Sequence, residues 1–137
     1  MASVKFKSKH HAHNQRKHCW ACTKCSAFYT VKQTACLDCH NQLQYFPSQG
    51  EFLRFRNLQL QLRAGAITDL ELQPTYPVVI NGIKVFEYRA DFKYKRKGIE
   101  IIEDCKGSLN PKYHDPVFLL KKKVVEAIYG IKISIVT

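Results

Sequence analysis

Cysteine spacing gives the clearest chemical signal in this 137-residue chain. Cys22 and Cys25 form one C-x-x-C pair, Cys36 and Cys39 form another, and ten residues separate the two pairs. Two such knuckles, brought together by a short hairpin between them, place four thiolates at the corners of a tetrahedron, which is the geometry of a structural Zn²⁺ site. A closed site of four thiolates leaves no position for water. We therefore expect a zinc-ribbon-like module in which the metal stabilises the fold and takes no part in catalysis.

The identity of the zinc ligands stays open at several points. Cys19 also stands at C-x-x-C spacing from Cys22, so it could replace Cys25, although we favour the pair Cys22 and Cys25. His18 and His40 are substitute ligands at the two ends of the stretch. Disulfides are the competing use of these cysteines. The N-terminus lacks the apolar region of a signal peptide, which favours a reducing, cytoplasmic location where disulfides seldom persist.

A second group of interest combines carboxylates with a lysine. Asp104 and Lys106 lie two residues apart in a segment with strand character, so their side chains share one face and Glu103 points to the other. Asp91 lies on the preceding strand, and antiparallel pairing can bring its carboxylate near that of Asp104. Converging carboxylates repel each other unless a cation lies between them, and oxygen ligands suit Mg²⁺ or Mn²⁺. The pattern predicts a phosphodiester-hydrolysing site in which Lys106 assists the attacking water.

A helix is predicted over residues 48–64, ahead of the acidic pair. Ser48 followed by Glu51 is a capping-box pattern, and Gly65 is expected to end the helix. The predicted apolar face consists of Phe52, Phe55, Leu58 or Gln59, and Leu62.

Three extended segments are predicted after this helix. Residues 69–80 read as a strand interrupted by prolines, and the dipeptide Asn81-Gly82 marks a hairpin turn. Residues 84–95 alternate as one half-buried strand whose apolar face carries Tyr88, Ala90, Phe92 and Tyr94. A turn at Lys97-Gly98 leads to the strand over residues 99–106 that carries the acidic pair.

The chain is predicted to end with a helix over residues 115–129, capped by Asp115 and stopped by Gly130, and a strand over residues 131–136. The order helix, three strands, helix, strand predicts an α/β fold with a mixed central sheet flanked by helices. We expect three parts: a basic arm over 1–17, the cysteine module over 18–45, and the α/β core over 46–137.

The charge balance favours a polyanionic partner. The chain has 22 Lys and Arg against 11 Asp and Glu, a net charge of +11, so nucleic acid is the leading candidate. No apolar run is long enough to span a membrane, and no membrane partner is expected. The cations expected to contact phosphates lie in the arm and on the last helix: Lys5, Lys7, Lys9, Arg16, Lys17, Lys121, Lys122 and Lys123.

Glu51 on a predicted helix is followed by Asp91 and, after twelve intervening residues, by Asp104-Cys105-Lys106. This pattern resembles the PD-(D/E)xK nuclease superfamily, whose restriction-endonuclease-like core has the order of elements predicted here. More closely, residues 46–136 resemble a phage-borne family of Holliday-junction-resolvase-like endonucleases. The matching stretches are FPSQGEFLRF, AGAITDLELQP, YRADFKY, IIEDCKG and FLLKKKVVEAIYGI.

The resemblance implies a catalytic Mg²⁺ or Mn²⁺ site and a role for each matching residue. Ala90 departs from the superfamily pattern, which has proline before the first aspartate. Each acid also has a plainer interpretation, since Glu51 can act as a capping residue and the others can be solvated strand acids. The implied assignments are Glu51, Asp91 and Asp104 as metal ligands, the backbone carbonyl of Cys105 as a further ligand, Lys106 as the residue that assists water, and Gln73 near the active site.

These observations leave two principal hypotheses for function. The first is a metal-dependent endodeoxyribonuclease acting on duplex or branched DNA, for which a homodimer would allow symmetric cutting of a junction. The second is a non-catalytic, zinc-containing adaptor that binds nucleic acid in replication or recombination, because a fold by itself does not prove activity. A zinc-ribbon transcription or RNA factor is a third interpretation, which leaves the strand with Asp104 and Lys106 unexplained.

Overall fold

The computed structural model describes residues 18–137, so the predicted basic arm over 1–17 lies outside the described residues. The protein is a mixed α/β chain, as predicted, and it divides into two compact units. The first unit ends at Leu53 and the second begins at Arg54. Across residues 18–137, none of the helices has the length and apolar character needed to cross a membrane.

The first unit contains a three-stranded antiparallel sheet of β1 (Cys19–Cys22), β2 (Phe28–Tyr29) and β3 (Leu43–Phe46), in the order β2-β1-β3. The predicted hairpin between the two knuckles does not form. The first knuckle is itself the turn of a hairpin, because the chain leaves β1 at Cys22 and returns as β2 to pair with it. The second knuckle then lies in the connection between β2 and β3.

Helix α1 (Gln49–Arg63) confirms the predicted helix and contains the boundary between the units. The Ser48 hydroxyl accepts a hydrogen bond from the Glu51 amide at 3.1 Å, which is the expected N-terminal cap. Gly65 follows the helix with a φ of +71°, a conformation that glycine adopts without steric cost. The predicted apolar face is confirmed at Phe52, Phe55 and Leu58, which are buried. The prediction was wrong for Leu62, which is 40% exposed, because the buried stripe ends before the last turn.

The second unit has six strands and a further helix. A four-stranded sheet has the order β4-β7-β8-β9, with antiparallel pairing except between β8 and β9, which are parallel. The remaining two strands form a separate antiparallel hairpin. The elements are β4 (Thr68–Leu72), β5 (Thr75–Ile80), β6 (Ile83–Arg89), β7 (Phe92–Arg96), β8 (Ile99–Cys105), α2 (Pro116–Tyr129) and β9 (Ile133–Val136).

The single strand predicted over residues 84–95 is divided between two sheets. The Ala90 amide donates to the Pro74 carbonyl at 3.0 Å, whereas the Asp91 amide donates to the Glu103 carbonyl at 3.0 Å. The chain therefore changes its pairing partner between Ala90 and Asp91, from the β5–β6 hairpin to the central sheet. The predicted alternation survives the change, since Tyr88, Ala90, Phe92 and Tyr94 are all buried.

Turn and capping predictions are confirmed around these strands. The residues of the Asn81-Gly82 turn have φ values of +51° and +78°, and Lys97-Gly98 has +51° and +76°, as tight hairpin turns of the primed type require. The Asp115 side chain accepts from the Val117 amide at 2.9 Å at the start of α2. Gly130 ends that helix with a φ of +62°.

The two helices pack on opposite faces of the four-stranded sheet within the second unit. Phe55 of α1 stacks on Phe92, with ring centroids 6.4 Å apart. Val125 of α2 belongs to a buried cluster with Ile102 and Ile133, which are paired neighbours in β8 and β9. Phe92 pairs with Glu103, which is next to Ile102 in β8. Because successive strand residues point to opposite faces, Phe92 and Ile102 lie on opposite faces of the sheet. A sheet flanked by helices, as predicted, follows from this arrangement.

The face of the sheet covered by α1 contains an ion pair between a partly buried arginine and a buried glutamate. Glu103 is only 4% exposed, and the Arg54 guanidinium contacts both of its carboxylate oxygens, at 2.9 Å and 2.6 Å. The Tyr94 hydroxyl donates to the same carboxylate at 2.6 Å. These contacts give the buried Glu103 carboxylate the hydrogen-bond partners and the positive charge that it needs, so the network connects α1 to the sheet.

Replacement of Arg54 by alanine is expected to lower the free energy of unfolding by about 3–5 kcal/mol, because Glu103 would remain charged and buried without its partner. Urea unfolding followed by circular dichroism measures the loss. The matched control is Lys95→Ala, which removes an exposed ion pair with Asp69 and should change stability by less than about 0.5 kcal/mol. The double variant Arg54→Met, Glu103→Gln should recover part of the loss. Equal small effects for Arg54→Ala and Lys95→Ala would contradict the prediction.

Candidate metal centre and acidic cleft

Four cysteine side chains converge in the first unit. The sulfurs of Cys22 and Cys39 are 3.4 Å apart, those of Cys25 and Cys36 are 3.4 Å apart, and those of Cys39 and Cys25 are 3.6 Å apart. All four sulfurs lie within 4.8 Å of one another. A tetrahedral Zn²⁺ with metal–sulfur bonds of about 2.3 Å has sulfur–sulfur edges of roughly 3.8 Å. The cluster can therefore hold a metal ion, and its dimensions fit zinc.

The two knuckles have the same backbone conformation. In the first, the Cys22 amide donates to the carbonyl of Ala27 at 2.8 Å, and the Ser26 amide donates back to Cys22 at 3.0 Å. In the second, the Cys36 amide donates to the carbonyl of Asn41, and the His40 amide donates back to Cys36, both at 2.9 Å. The residue after each pair has a positive φ, +64° at Ser26 and +56° at His40. This repeated turn presents both cysteines of each pair to one point.

The structure decides the ligand register that the sequence left open. Cys19 is fully buried in β1 and lies outside the cluster. Burial raises the pKa of its thiol, which is the behaviour of a small core residue. His18 contacts the rings of Trp20 and Tyr45. Within residues 18–137 the four cysteines form the only group of three or more side chains of the metal-binding types that could hold an ion.

Neighbouring groups donate hydrogen bonds toward the sulfurs. The Tyr29 hydroxyl lies 3.5 Å from the Cys36 sulfur and accepts from the Leu37 amide at 3.0 Å. The Asn41 side-chain amide donates to the Cys39 sulfur at 3.2 Å. Chiefly through the Tyr29 hydrogen bond, the pKa of Cys36 is lowered to about 6. Such contacts favour the thiolate, which is the form that binds a metal.

The second unit contains a cleft of about 270 Å³ that is lined by the predicted acidic pair. Asp91 enters it from the point where the chain passes from β6 to β7, and Asp104 enters from the end of β8. The helix α2 contributes the opposite wall. The other lining residues are Glu87, Tyr88, Arg89, Lys106, Asp115, Val117, Phe118 and Lys121.

Asp104 is the most enclosed carboxylate of the cleft, at 2% exposure. Its Oδ1 forms an ion pair with the Lys106 ammonium at 2.6 Å, as their shared strand face predicts. Its Oδ2 accepts a hydrogen bond from the Tyr88 hydroxyl. Burial raises the pKa of Tyr88, so the hydroxyl stays protonated and acts as a donor. The Lys106 ammonium also lies 4.2 Å above the centre of the Phe118 ring, and this contact fixes its position over the cleft.

Asp91 lies next to Asp104, as predicted for the two neighbouring strands. Its Oδ2 accepts a hydrogen bond from the Cys105 amide at 2.6 Å. Burial, followed by the negative charge of Asp104, raises the pKa of Asp91 to about 6. Asp91, whose pKa is raised by burial and by a neighbouring carboxylate, marks a site at which a cation is electrostatically favoured.

The pKa of Asp91 predicts a pH-dependent stability difference in buffer without divalent cations. The folded protein holds the proton more tightly than the unfolded chain, so this group stabilises the fold below about pH 4, and the contribution is lost as pH rises through about 6. Asp91→Asn, which cannot ionise, should therefore raise the free energy of unfolding by up to about 3 kcal/mol at pH 8 and change it little at pH 4. Urea unfolding of both proteins at each pH measures this, and an equal difference at the two pH values would refute the assignment.

The structure places the remaining predicted residues in different surroundings. Glu51 belongs to the first unit, so its proposed role stays a prediction. The backbone of Gln73 lies next to the cleft, because its backbone amide donates a hydrogen bond to the Asp91 carbonyl at 2.9 Å. The side chain of Cys105 is partly exposed. The three helix lysines separate: Lys121 lines the cleft, Lys122 pairs with Glu126 at 2.8 Å, and Lys123 is exposed.

Tyr88 and Arg89 are among the cleft residues that were not predicted as site residues from the sequence. Tyr88 was assigned to the apolar face of its strand, and its contact with Asp104 joins residues 16 apart, which no local signal reveals. Arg89 precedes Asp91 by two residues, so alternation along the strand could have identified it. With Lys106 and Lys121, it surrounds the two carboxylates with cations.

Comparison with known protein families gives a match over most of the chain. The family described as "Protein of unknown function (DUF1064)" matches residues 37–135, which is more than half of the chain. No curated protein and no solved structure matches significantly. The matched region contains both aspartates of the cleft and Lys106, but of the four clustered cysteines it contains only Cys39. The chain therefore belongs to the family described as "Protein of unknown function (DUF1064)".

Proposed function

We propose that this protein is a metal-dependent endodeoxyribonuclease whose catalytic site is the acidic cleft. The observation that carries the proposal is the adjacency of the partly buried Asp91 and the buried Asp104, with the Lys106 ammonium 2.6 Å from Asp104. Acids of this kind, brought together from separate strands beside a lysine, are suited to phosphodiester hydrolysis.

Asp91 and Asp104 would hold Mg²⁺ or Mn²⁺, with the backbone carbonyl of Cys105 as a further ligand, and the cation would neutralise charge that develops on the phosphate. Lys106 is held over the cleft by Asp104 and the Phe118 ring, so its charge can orient the attacking water and stabilise the phosphate oxygens. Arg89 and Lys121 would contact the phosphates of the DNA backbone, because both are cationic and line the cleft.

The order and pairing of the strands support the proposed membership of the PD-(D/E)xK nuclease superfamily. Strands β7 and β8 form an antiparallel pair that carries both aspartates at one end, and β8 connects through α2 to the parallel strand β9. A mixed sheet with flanking helices is the coarse architecture expected from the resemblance, and it supports the proposal to that extent. Branched DNA, including Holliday junctions, is proposed as the preferred substrate on the resemblance alone.

We also propose that Zn²⁺ is the ion of the cysteine cluster. Four sulfur ligands in a closed, roughly tetrahedral arrangement are typical of structural zinc, and the dimensions of the cluster fit this ion.

One observation favours the non-catalytic adaptor. Both oxygens of Asp104 are already engaged, one by Lys106 and the other by the Tyr88 hydroxyl. A cation must therefore displace or share at least one of these contacts. In an adaptor the same network would serve only to connect β6 to β8.

Cleavage of labelled DNA separates the two functions. The zinc-loaded protein is incubated with linear duplex, single-stranded and four-way-junction DNA, with Mg²⁺, with Mn²⁺, or with no added divalent cation. A nuclease should cut only when the cation is present, and the junction should be the best substrate. Salt-sensitive binding to all three DNAs without any cutting would reject the nuclease and support the adaptor.

A further inference from the structure

The three-stranded sheet of the first unit carries a row of aromatic rings on one face. Trp20 in β1 is opposite Tyr29 in β2 and Tyr45 in β3. Residues directly opposite in antiparallel strands project from the same face, so the row crosses all three strands. The rings of Trp20 and Tyr45 have centroids 5.5 Å apart, and the His18 ring lies 5.2 Å from Trp20.

The row is not the core of this module. Three of the four buried residues of the sheet are on the other face, where Cys19, Ala21 and Phe46 are at most 1% exposed. The fourth, Cys22, belongs to the cysteine cluster. In contrast, Tyr45 is 42% exposed, and Trp20 is only partly buried. The register and the exposure together show that these aromatic residues form an accessible surface.

The charges around the row indicate what could bind it. The strands β1, β2 and β3 contain no charged residue, so no acidic side chain of the sheet repels a polyanion. In the sequence, five Lys and Arg residues fall within positions 1–17, and the last of them, Lys17, directly precedes His18. Stacking surfaces for bases combined with cations for phosphates are the two requirements for binding single-stranded nucleic acid.

We propose that this aromatic face, defined as His18, Trp20, Tyr29 and Tyr45, binds single-stranded DNA by stacking bases on Trp20 and Tyr45. The choice of DNA rests on the proposed nuclease function, since branched DNA such as a flap presents unpaired bases next to the duplex. Stacking itself needs neither a divalent cation nor the acidic cleft. The face would therefore select DNA with unpaired segments, independently of the cleavage step.

Fluorescence offers a direct test, because Trp20 is the only tryptophan in the chain. Full-length, zinc-loaded Asp104→Asn protein is titrated with oligothymidylate of about 12 nucleotides without added Mg²⁺. Binding should quench Trp20 emission. Tyr45→Ala should weaken binding about tenfold, within the range for loss of one stacked base, while Tyr45→Phe should bind like the parent. The matched control is Tyr113→Ala, because Tyr113 is 73% exposed in the second unit and should not affect binding.

Several outcomes would overturn the inference. Absence of quenching at saturating oligonucleotide, or equal affinity of Tyr45→Ala and its parent at unchanged zinc content, would remove the face from DNA binding. Tighter binding of oligouridylate would reject DNA as the ligand. A protein dimer that Tyr45→Ala dissociates would assign the face to a second copy of the chain. Quenching without cleavage by the wild-type protein would reject the nuclease alone, so the two proposals fail separately.

Discussion

Asp104→Asn is expected to abolish cation-dependent cleavage of DNA while leaving DNA binding nearly unchanged. The amide keeps the size of the side chain and an oxygen that can accept from Tyr88, but it removes the charge that pairs with Lys106 and would hold the cation. Loss of a metal-binding carboxylate should lower the rate by at least about 10³-fold, roughly 4 kcal/mol of barrier. Cleavage of the preferred DNA under single-turnover conditions measures the rate, and a binding titration measures affinity.

The matched control for this variant is Asp69→Asn. Asp69 is an exposed strand residue that pairs with Lys95, and asparagine tolerates its positive φ of +54°. It should cut DNA at the wild-type rate. Lys106→Ala should also lose cleavage, because the ammonium that faces the phosphate is removed. Wild-type activity in either Asp104→Asn or Lys106→Ala would exclude the cleft as the catalytic site.

Cys36→Ser should remove the bound zinc and unfold the first unit. Its sulfur is one of four ligands, and only three would remain around the ion. The unit has few other sources of stability, since the sheet buries little besides Cys19, Ala21 and Phe46. The binding energy of structural zinc in small modules is on the order of 10 kcal/mol and is effectively their folding energy. Zinc content by mass spectrometry should fall from one ion per chain to nearly none, and Trp20 emission should shift toward that of exposed indole.

Cys19→Ala is the matched control for the zinc prediction. Cys19 is buried like Cys36 and lies at C-x-x-C spacing from Cys22, but its sulfur is outside the cluster. This variant should retain one zinc per chain and a folded module, with only a small loss of stability. Loss of zinc from Cys19→Ala, or full stability of Cys36→Ser without metal, would contradict the assignment of ligands.

The sequence by itself determined the features that depend on local backbone preference. The Asn81-Gly82 and Lys97-Gly98 turns and the caps at Ser48 and Asp115 all have the predicted conformation. Each depends on residues within a few positions of one another, where φ/ψ preferences and short hydrogen bonds are decisive. Alternation also identified the shared face of Asp104 and Lys106, because the period of a strand is a local property.

Tertiary structure decided everything that depends on which strand pairs with which. The alternation over residues 84–95 is continuous, so the sequence contains no sign that the chain changes sheets at Ala90 and Asp91. The same long-range pairing brings Tyr88 to Asp104 and Arg54 to Glu103, and it sets Trp20 between Tyr29 and Tyr45. These contacts join residues far apart in the chain. Their geometry follows from the register of whole strands, which is set by collective burial and hydrogen bonding rather than by the preferences of single residues.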